Sequence, residues 1–471
     1  VIDPGKQKAT AIRGIAVLDV GSSNTKLTLF DTSLNSVEEE VVPSVHRAGP
    51  PYASIDPEAV VGFAARVLPE FDSVLPIDRI VPCAHGSGLA CLDENGELAL
   101  PIMDYEAEPP DEIVEGYARI EPPYAEVFAP TNPGALTLGR QLFWQESAFP
   151  EPFSRVKTIV PWGQYLGFRL SGALASEVTA LGAQTHLWDV RANQYSALVR
   201  ARGWEQLFAP LRPAFDTLGS LLPPIRGLGV RGDGRVLVGV HDSNANYLRY
   251  LASGIERFTL LSTGTWIIGF DSHARLEDLD ARFDIVSNTT VMSQPVACCR
   301  FMGGREYQLV AAGAPPHAAS VAALRRIVAA GIYALPSFTD SGGPMPGTGG
   351  KGKVVGPLSG TEAERATLAL LYCALMSAES LGHVGVNGDI IVDGPFAESP
   401  LYCSVLAKLF PEHTVHASEV RNGTSVGAAV LALMRPDGRL PERPVELRRV
   451  DPLDVDELAG YRRRWFDAGK P

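Results

Sequence analysis

The feature that most restricts the fold is a unit that occurs twice, about half a chain apart. Near the N-terminus the apolar run Gly14 to Val20 ends in Gly21-Ser22-Ser23-Asn24 and resumes as the alternating stretch Thr25 to Phe30. In the second half, Phe258 to Leu261 ends in Ser262-Thr263-Gly264-Thr265 and resumes as Trp266 to Phe270. Each reads as a strand, a small polar turn and a strand. Copies this far apart are not a short-period repeat, so a duplicated domain is expected rather than a solenoid. The length of 471 residues agrees, since about 100–200 residues make one domain.

The segments between fit the same plan. Ser36 to Val42 extends the first unit into an antiparallel meander. Pro57 to Leu68 has helical spacing, with Asp56 as N-cap and Pro57 at the first helical position. Arg79 to Ala84 reads as a strand, and Asp93-Glu94-Asn95-Gly96 turns Leu89–Leu92 back onto Leu98–Ile102. Proline-rich stretches between Glu108 and Pro133 read as a surface excursion. Helices are expected over Leu138–Ser147, Pro161–Leu170 and Ser196–Phe208. Leu221 to Gly234, dense in Pro and Gly, reads as a linker that divides the chain into 1–230 and 231–471. Beyond it, Val236 to Val240 is a strand ending in His241-Asp242. Gly342 to Gly352 is a glycine-rich loop expected to be mobile, and the stretch from Met302 to Thr361 looks short. Thr361 to Leu381 is a long helix, Ile390 to Val392 a buried strand, and Thr424 to Met434 a small-residue helix.

Charge disfavours one class of partner. The net charge of −13 gives no basic footprint for a nucleic-acid backbone, whereas a nucleotide needs only one local positive site. No apolar run reaches the ~18 residues that span a bilayer, and Ala366 to Ala378, interrupted by Tyr372 and Ser377, reads as a buried helix. No membrane partner is therefore expected. The N-terminus lacks the layout of a signal peptide; it opens on Val1, so the natural start is expected upstream. Cys83, Cys91, Cys298, Cys299, Cys373 and Cys403 form no Cys-x-x-Cys pair and read as reduced core thiols of a cytoplasmic protein. Zinc spacing, a Walker loop and a dinucleotide fingerprint are all missing.

Five short segments carry chemistry. Asp19 closes a buried strand, where its carboxylate suits a metal ion or its water. Gly21, Ser22, Ser23 and Asn24 then offer backbone and side-chain donors in an anion-cradling turn, and Lys26 adds charge. Thr263, Gly264 and Thr265 repeat that logic. Both turns also read as ordinary polar hairpins. Asp242, where a strand leaves the core, suits a general base for a substrate hydroxyl, or else caps the following helix. His85 and Gly86 follow a strand and suit sugar hydroxyls or a structural loop. Gly394 and Pro395 form a turn able to cradle an adenosine or simply to connect two elements.

In order and type these segments resemble the FGGY carbohydrate kinases, within the actin, hexokinase and heat-shock ATPase superfamily, over nearly the whole chain. Asp19 to Lys26 resembles the first phosphate motif, with Ser22 in the Thr place. His85-Gly86, followed by Leu92-Asp93-Glu94-Asn95-Gly96, resembles the sugar loop, and Leu170-Ser171-Gly172 to Trp188-Asp189 a family segment beyond it. Gly239 to Asp242 is similar to the Gly-x-His-Asp that carries the catalytic base. Ser262 to Trp266 resembles the second phosphate motif, and Val426 to Ala432 the closing helix. The resemblance implies an α/β fold of two ribonuclease-H-like, actin-like ATPase domains with a cleft between them. It implies ATP and Mg²⁺ as cofactors and a small-molecule sugar as substrate. In that reading Asp242 is the base, Asp19 holds the metal, and His85, Gly86, His241 and Asp242 meet the sugar. A monomer or homodimer is expected. The second phosphate turn looks closest to L-fuculose and L-rhamnulose kinases, and the sugar loop to xylulose kinases.

Two departures stand out. Met103-Asp104-Tyr105-Glu106 replaces a Trp-x-Asp-x-Arg segment, and Asp393-Gly394-Pro395 with Glu398 replaces a triple-glycine adenosine loop. Two further readings follow: an ATPase switch, against which the sugar loop and Asp242 argue, and a catalytically weak sugar-binding regulator, which the altered adenosine loop favours.

Overall fold

Seven consecutive buried residues make Gly14–Val20 (β1) a central strand. Asn24–Phe30 (β2) and Ser36–Pro43 (β3) follow it as an antiparallel meander. The computed structural model describes residues 12–340, 343–420 and 422–470. Helix α1 (Pro57–Val74) starts as expected, with the Asp56 carboxylate accepting the Glu58 and Ala59 N–H groups, and runs six residues further than its apolar spacing indicated. It returns the chain to Ile77–Ala84 (β4), which lies parallel to β1. After a long excursion the chain re-enters the same sheet as Thr217–Ser220 (β5), Arg235–Leu237 (β6) and Val240–His241 (β7).

Helix α2 (Asp242–Leu251) leads on to the second sheet. That sheet contains Phe258–Thr263 (β8), Ile267–Asp271 (β9), Ile285–Thr289 (β10), Pro295–Phe301 (β11), Asp389–Asp393 (β12), Val415–Ser418 (β13) and Leu447–Val450 (β14). Its order is β10-β11-β9-β8-β12-β13-β14, and the first sheet's is β3-β2-β1-β4-β6-β5, with β7 also on β4. From β3 and from β11 inward, the pairings run antiparallel, antiparallel, parallel, parallel, antiparallel in both. The duplication expected from the two turns therefore extends to the sheets.

Three expectations need correction. Residues 221–234 are not a linker. They join β5 to β6 inside the first sheet, closed by Leu221 N–H donating to the Gly234 carbonyl at 2.8 Å. Their Pro and Gly content marks a turn, as it does in any loop, and Gly232 runs so close to Ile77 that a Cβ would lie 2.1 Å from its carbonyl oxygen. The helix expected over Ser196–Phe208 is a short turn, Ala197–Ala201, and a 3₁₀ turn, Glu205–Leu207, separated by Gly203 at φ +69°. The stretch after Met302 carries two full helices, Gly303–Ala311 (α3) and Val321–Ala330. Of the glycine-rich loop, Gly342 lies outside the described residues. The rest is tied down by Ser337 N–H to Thr348, Gly350 N–H to Thr339 and Gly352 N–H to Ser337, each through the carbonyl.

Glu362–Val384 (α4) is capped by Thr361. By length and composition it is the one helix among the described residues able to cross a membrane, and 83% of its apolar window is buried in the core. All six cysteines are buried and free.

The helix Gly423–Leu431 (α5) follows β13 as α2 follows β7. The two helices touch backbone to backbone: a Cβ on Gly427 would sit 1.8 Å from the Ala245 carbonyl oxygen. Ala428 to Leu431 join Ile15, Val17 and Val81 of β1 and β4 in one buried cluster. Arg300, 3% exposed, also links the halves, bonded to Asp284 at 2.8 Å and to Asn132 and Gln184 of the excursion.

Candidate active site

Asp19 and Lys26 face each other across the β1–β2 hairpin because they are cross-strand partners. Their side chains come within 3.9 Å. Ser425 of α5 donates its hydroxyl to Asp19 Oδ2 at 2.8 Å, and the Lys26 ammonium donates to Asn422 Oδ1 at 3.3 Å. Burial pushes the Asp19 carboxyl above its ordinary range, Lys26 and Ser425 pull it back, and Asp242 pushes it up again. Asp19 and Asp242 therefore act on one another. Gly21 N–H closes the turn onto the Asn24 carbonyl at 2.9 Å, leaving Ser23 and Asn24 exposed and Ser22 half-buried.

Asp242 is the first residue of α2, and the cap position belongs to His241, whose side chain makes no capping bond. Asp242 Oδ1 instead accepts from Ser243 N–H at 2.6 Å and from the Ser243 hydroxyl at 3.2 Å, and His241 Nε2 lies 3.2 Å from it. The other ring nitrogen of His241 accepts from the Asn244 amide at 3.1 Å. Burial holds the His241 imidazole below its ordinary pKa against the opposing field of Asp242, and with Nδ1 accepting, the neutral ring carries its proton on Nε2. Gly86 leaves room for this ring, since a Cβ there would lie 2.8 Å from it. A chain of bonds also fixes the backbone at this point. His241 N–H donates to Thr179 Oγ1 at 3.0 Å, and that hydroxyl donates to Glu177, whose carboxyl is pushed up to about 7 by complete burial.

His85 stands beside this group. Its backbone N–H meets the Val20 carbonyl at 3.1 Å, which sets the sugar loop against the first phosphate turn. The Ser87 N–H points at His85 Nδ1 from 3.4 Å, and Tyr105 packs edge-on with ring centres 5.6 Å apart. Burial pulls the imidazole down to about 4, against the opposing fields of Asp242 and Asp104. His46 bridges Asp104 Oδ2 at 2.5 Å and the Ser22 carbonyl at 2.8 Å, joining the altered Met103–Glu106 segment to the phosphate turn.

On the facing half, Thr263 stitches the second turn to the expected adenosine loop. Its hydroxyl donates to the Asp393 carbonyl at 2.5 Å and accepts the Phe396 N–H at 3.1 Å. Gly394 is required here: φ is +87°, and a Cβ would lie 2.0 Å from the Thr263 carbonyl oxygen. Asp393, fully buried, faces Arg249 of α2 at 3.6 Å. Ser22, Ser23, Gly264, Thr265 and Pro395 line one cleft of about 1180 Å³ between the halves, large enough for a nucleotide.

The structure thus brings Asp19, the first turn, His85, Gly86, His241 and Asp242 together, with Gly264, Thr265, Gly394 and Pro395 opposite. The Thr263 hydroxyl is taken by the loop it holds. Sequence reasoning missed Thr179 and Ser425, whose partners lie elsewhere in the fold, and Asn244, which bonds His241 one helical turn away. No group of three or more His, Cys, Asp or Glu gathers as a metal cage among the described residues. Mg²⁺ at phosphotransfer sites rests on one or two carboxylates plus phosphates and water, and the hard oxygens of Asp19 and Asp242 fit that pattern.

Residues 255–441 match the C-terminal domain of the FGGY carbohydrate kinases. Over 97% of this chain and 98% of the other, the structure is similar to a carbohydrate kinase from Novosphingobium aromaticivorans, with 32% identity and a TM-score of 0.84. It shares its fold with a ligand-bound xylulose kinase from Lactobacillus acidophilus at 15% identity and TM-score 0.79, over 97% of both chains. The same holds for the Plasmodium falciparum glycerol kinase with ADP at 14% identity and TM-score 0.77, over 97% of both chains. No curated protein matches the sequence.

Proposed function

Because the chain belongs to the FGGY family of carbohydrate kinases, we propose that it transfers the γ-phosphate of MgATP to a hydroxyl of a ketose or related polyol, with Asp242 as base. The observation that carries this reading is the Asp242 carboxylate, oriented through Oδ1 by the two Ser243 donors with His241 Nε2 3.2 Å away, while no hydrogen bond among the described residues engages Oδ2. In this mechanism Oδ2 accepts the proton of the acceptor hydroxyl. The hydroxyl oxygen bonds to the γ-phosphorus as the bond to the bridging β–γ oxygen breaks and ADP leaves. The turns at Gly21 and Gly264 cradle the phosphates, and Asp19, with Lys26 beside it, holds the metal side. When bound, Mg²⁺ neutralises phosphate charge. His241, anchored through Nδ1 by the Asn244 amide with Nε2 3.2 Å from Asp242, sits beside the base and meets the sugar with it.

One structural point refines the reading. The strand carrying His241 belongs to the first sheet, so we place the boundary between the domains after α2 rather than at residue 230.

A coupled assay across ketoses, polyols and sugar acids tests the proposal. Sugar-dependent ADP release with a ketose or polyol acceptor is expected; ATP hydrolysis indifferent to every sugar would favour a switch instead. The His85 imidazole, neutral at working pH, offers one N–H to a sugar hydroxyl. His85→Ala should therefore raise the KM for sugar by roughly tenfold and leave basal ATP hydrolysis in place. A collapsed melting temperature would make the residue structural.

A further inference from the structure

A cleft that takes a polyphosphate needs positive charge, and this one has little. Glu106, Glu108 and Asp340 line it, and Arg305 is the one Lys or Arg among its described lining residues. Lys26 is already engaged by Asp19 and Asn422. Arg305 stands third in α3, and its place is fixed by close packing. Gly304 N–H donates to the Thr265 carbonyl at 3.1 Å, and a Cβ on Gly304 would lie 2.3 Å from the Gly264 carbonyl oxygen. The helix thus begins directly on the second phosphate turn. Its roll is set by Glu306, buried and bonded to Phe338 N–H, Thr339 N–H and the Tyr372 hydroxyl at 2.6–3.0 Å. Arg305 is exposed, and no hydrogen bond or ion pair among the described residues engages its guanidinium.

We propose that Arg305 is a further ATP-binding residue, whose guanidinium contacts the polyphosphate beside the Gly264–Thr265 turn. A planar fork of N–H donors suits phosphate oxygens, and an unpaired guanidinium breaks no internal ion pair to reach them. The inference rests on the cleft taking MgATP, as proposed above.

Calorimetric titration of the full chain with ATP and with adenosine, without sugar, tests it. Arg305→Ala should bind ATP about 10–100-fold more weakly and adenosine as before, with Arg305→Lys in between. Unchanged ATP affinity in Arg305→Ala overturns this inference alone, as does an equal loss for adenosine, which would make the residue a base contact or a support for α3. A wild-type chain that binds no ATP overturns the functional reading together with it.

Discussion

Asp242→Asn should fold and bind both substrates, yet turn over at least ~10²-fold more slowly. A positioned base contributes typically 10²–10⁴-fold, or roughly 3–5 kcal/mol of barrier. The substitution keeps an oxygen for the two Ser243 donors and removes only proton affinity. A capping role would predict an active variant, since Asn caps about as well as Asp. His241 occupies the cap, and among the described residues the Asp242 carboxylate accepts hydrogen bonds from Ser243 alone, which weakens that alternative. The fold loses at most the attraction of a negative charge for a helix N-terminus, about 0.3–1 kcal/mol. Single-turnover kinetics beside a melting curve decides it: near-normal turnover would remove Asp242 from the mechanism.

Asp19→Asn should separate activity from stability in the opposite sense. Its carboxylate is desolvated, and the proton is held more tightly in the fold than in the unfolded chain. Between its unfolded pKa and its raised folded value the native state binds more protons, so stability falls as pH rises through that window. At neutral pH the ionised group is a burden on the ligand-free fold. The Asn variant should therefore melt at an equal or higher temperature near pH 7, with the gain vanishing at acid pH. Its kcat/KM for MgATP should drop about 10–100-fold, the usual cost of disturbing a metal's carboxylate support. A variant that melts lower and keeps its ATP kinetics would place Asp19 among the structural residues.

The sequence made some of this legible and hid the rest for physical reasons. The two phosphate turns were readable because Gly and small polar residues between apolar strands leave a local pattern, and the matching pairings of the two sheets rest on it. The Asp56 cap and the long helix after Thr361 were equally local. Base and cap were inseparable for Asp242, since the two roles differ by one residue of helix register. The loop at 221–234 was taken for a linker because β5 is four residues long with a glycine inside and carries no alternation. Ser425 reaches Asp19 across 406 residues, and Thr179 reaches His241 across 62, so no spacing could announce them.

The packing of α5 has a consequence for synthesis. Its Ala428 to Leu431 cover Ile15, Val17 and Val81, which lie on strands synthesised long before it. After β4 leaves the ribosome, roughly 350 residues must follow before that cover exists, an interval of tens of seconds at about 5–20 residues per second. Throughout it, even once α2 packs on that face of the nascent first sheet, the part that α5 covers stays exposed. A chain stopped before residue 423 would keep both phosphate turns and still expose that face, so truncations from the C-terminus should turn up in inclusion bodies and on holdase chaperones well before they remove any residue that meets the sugar.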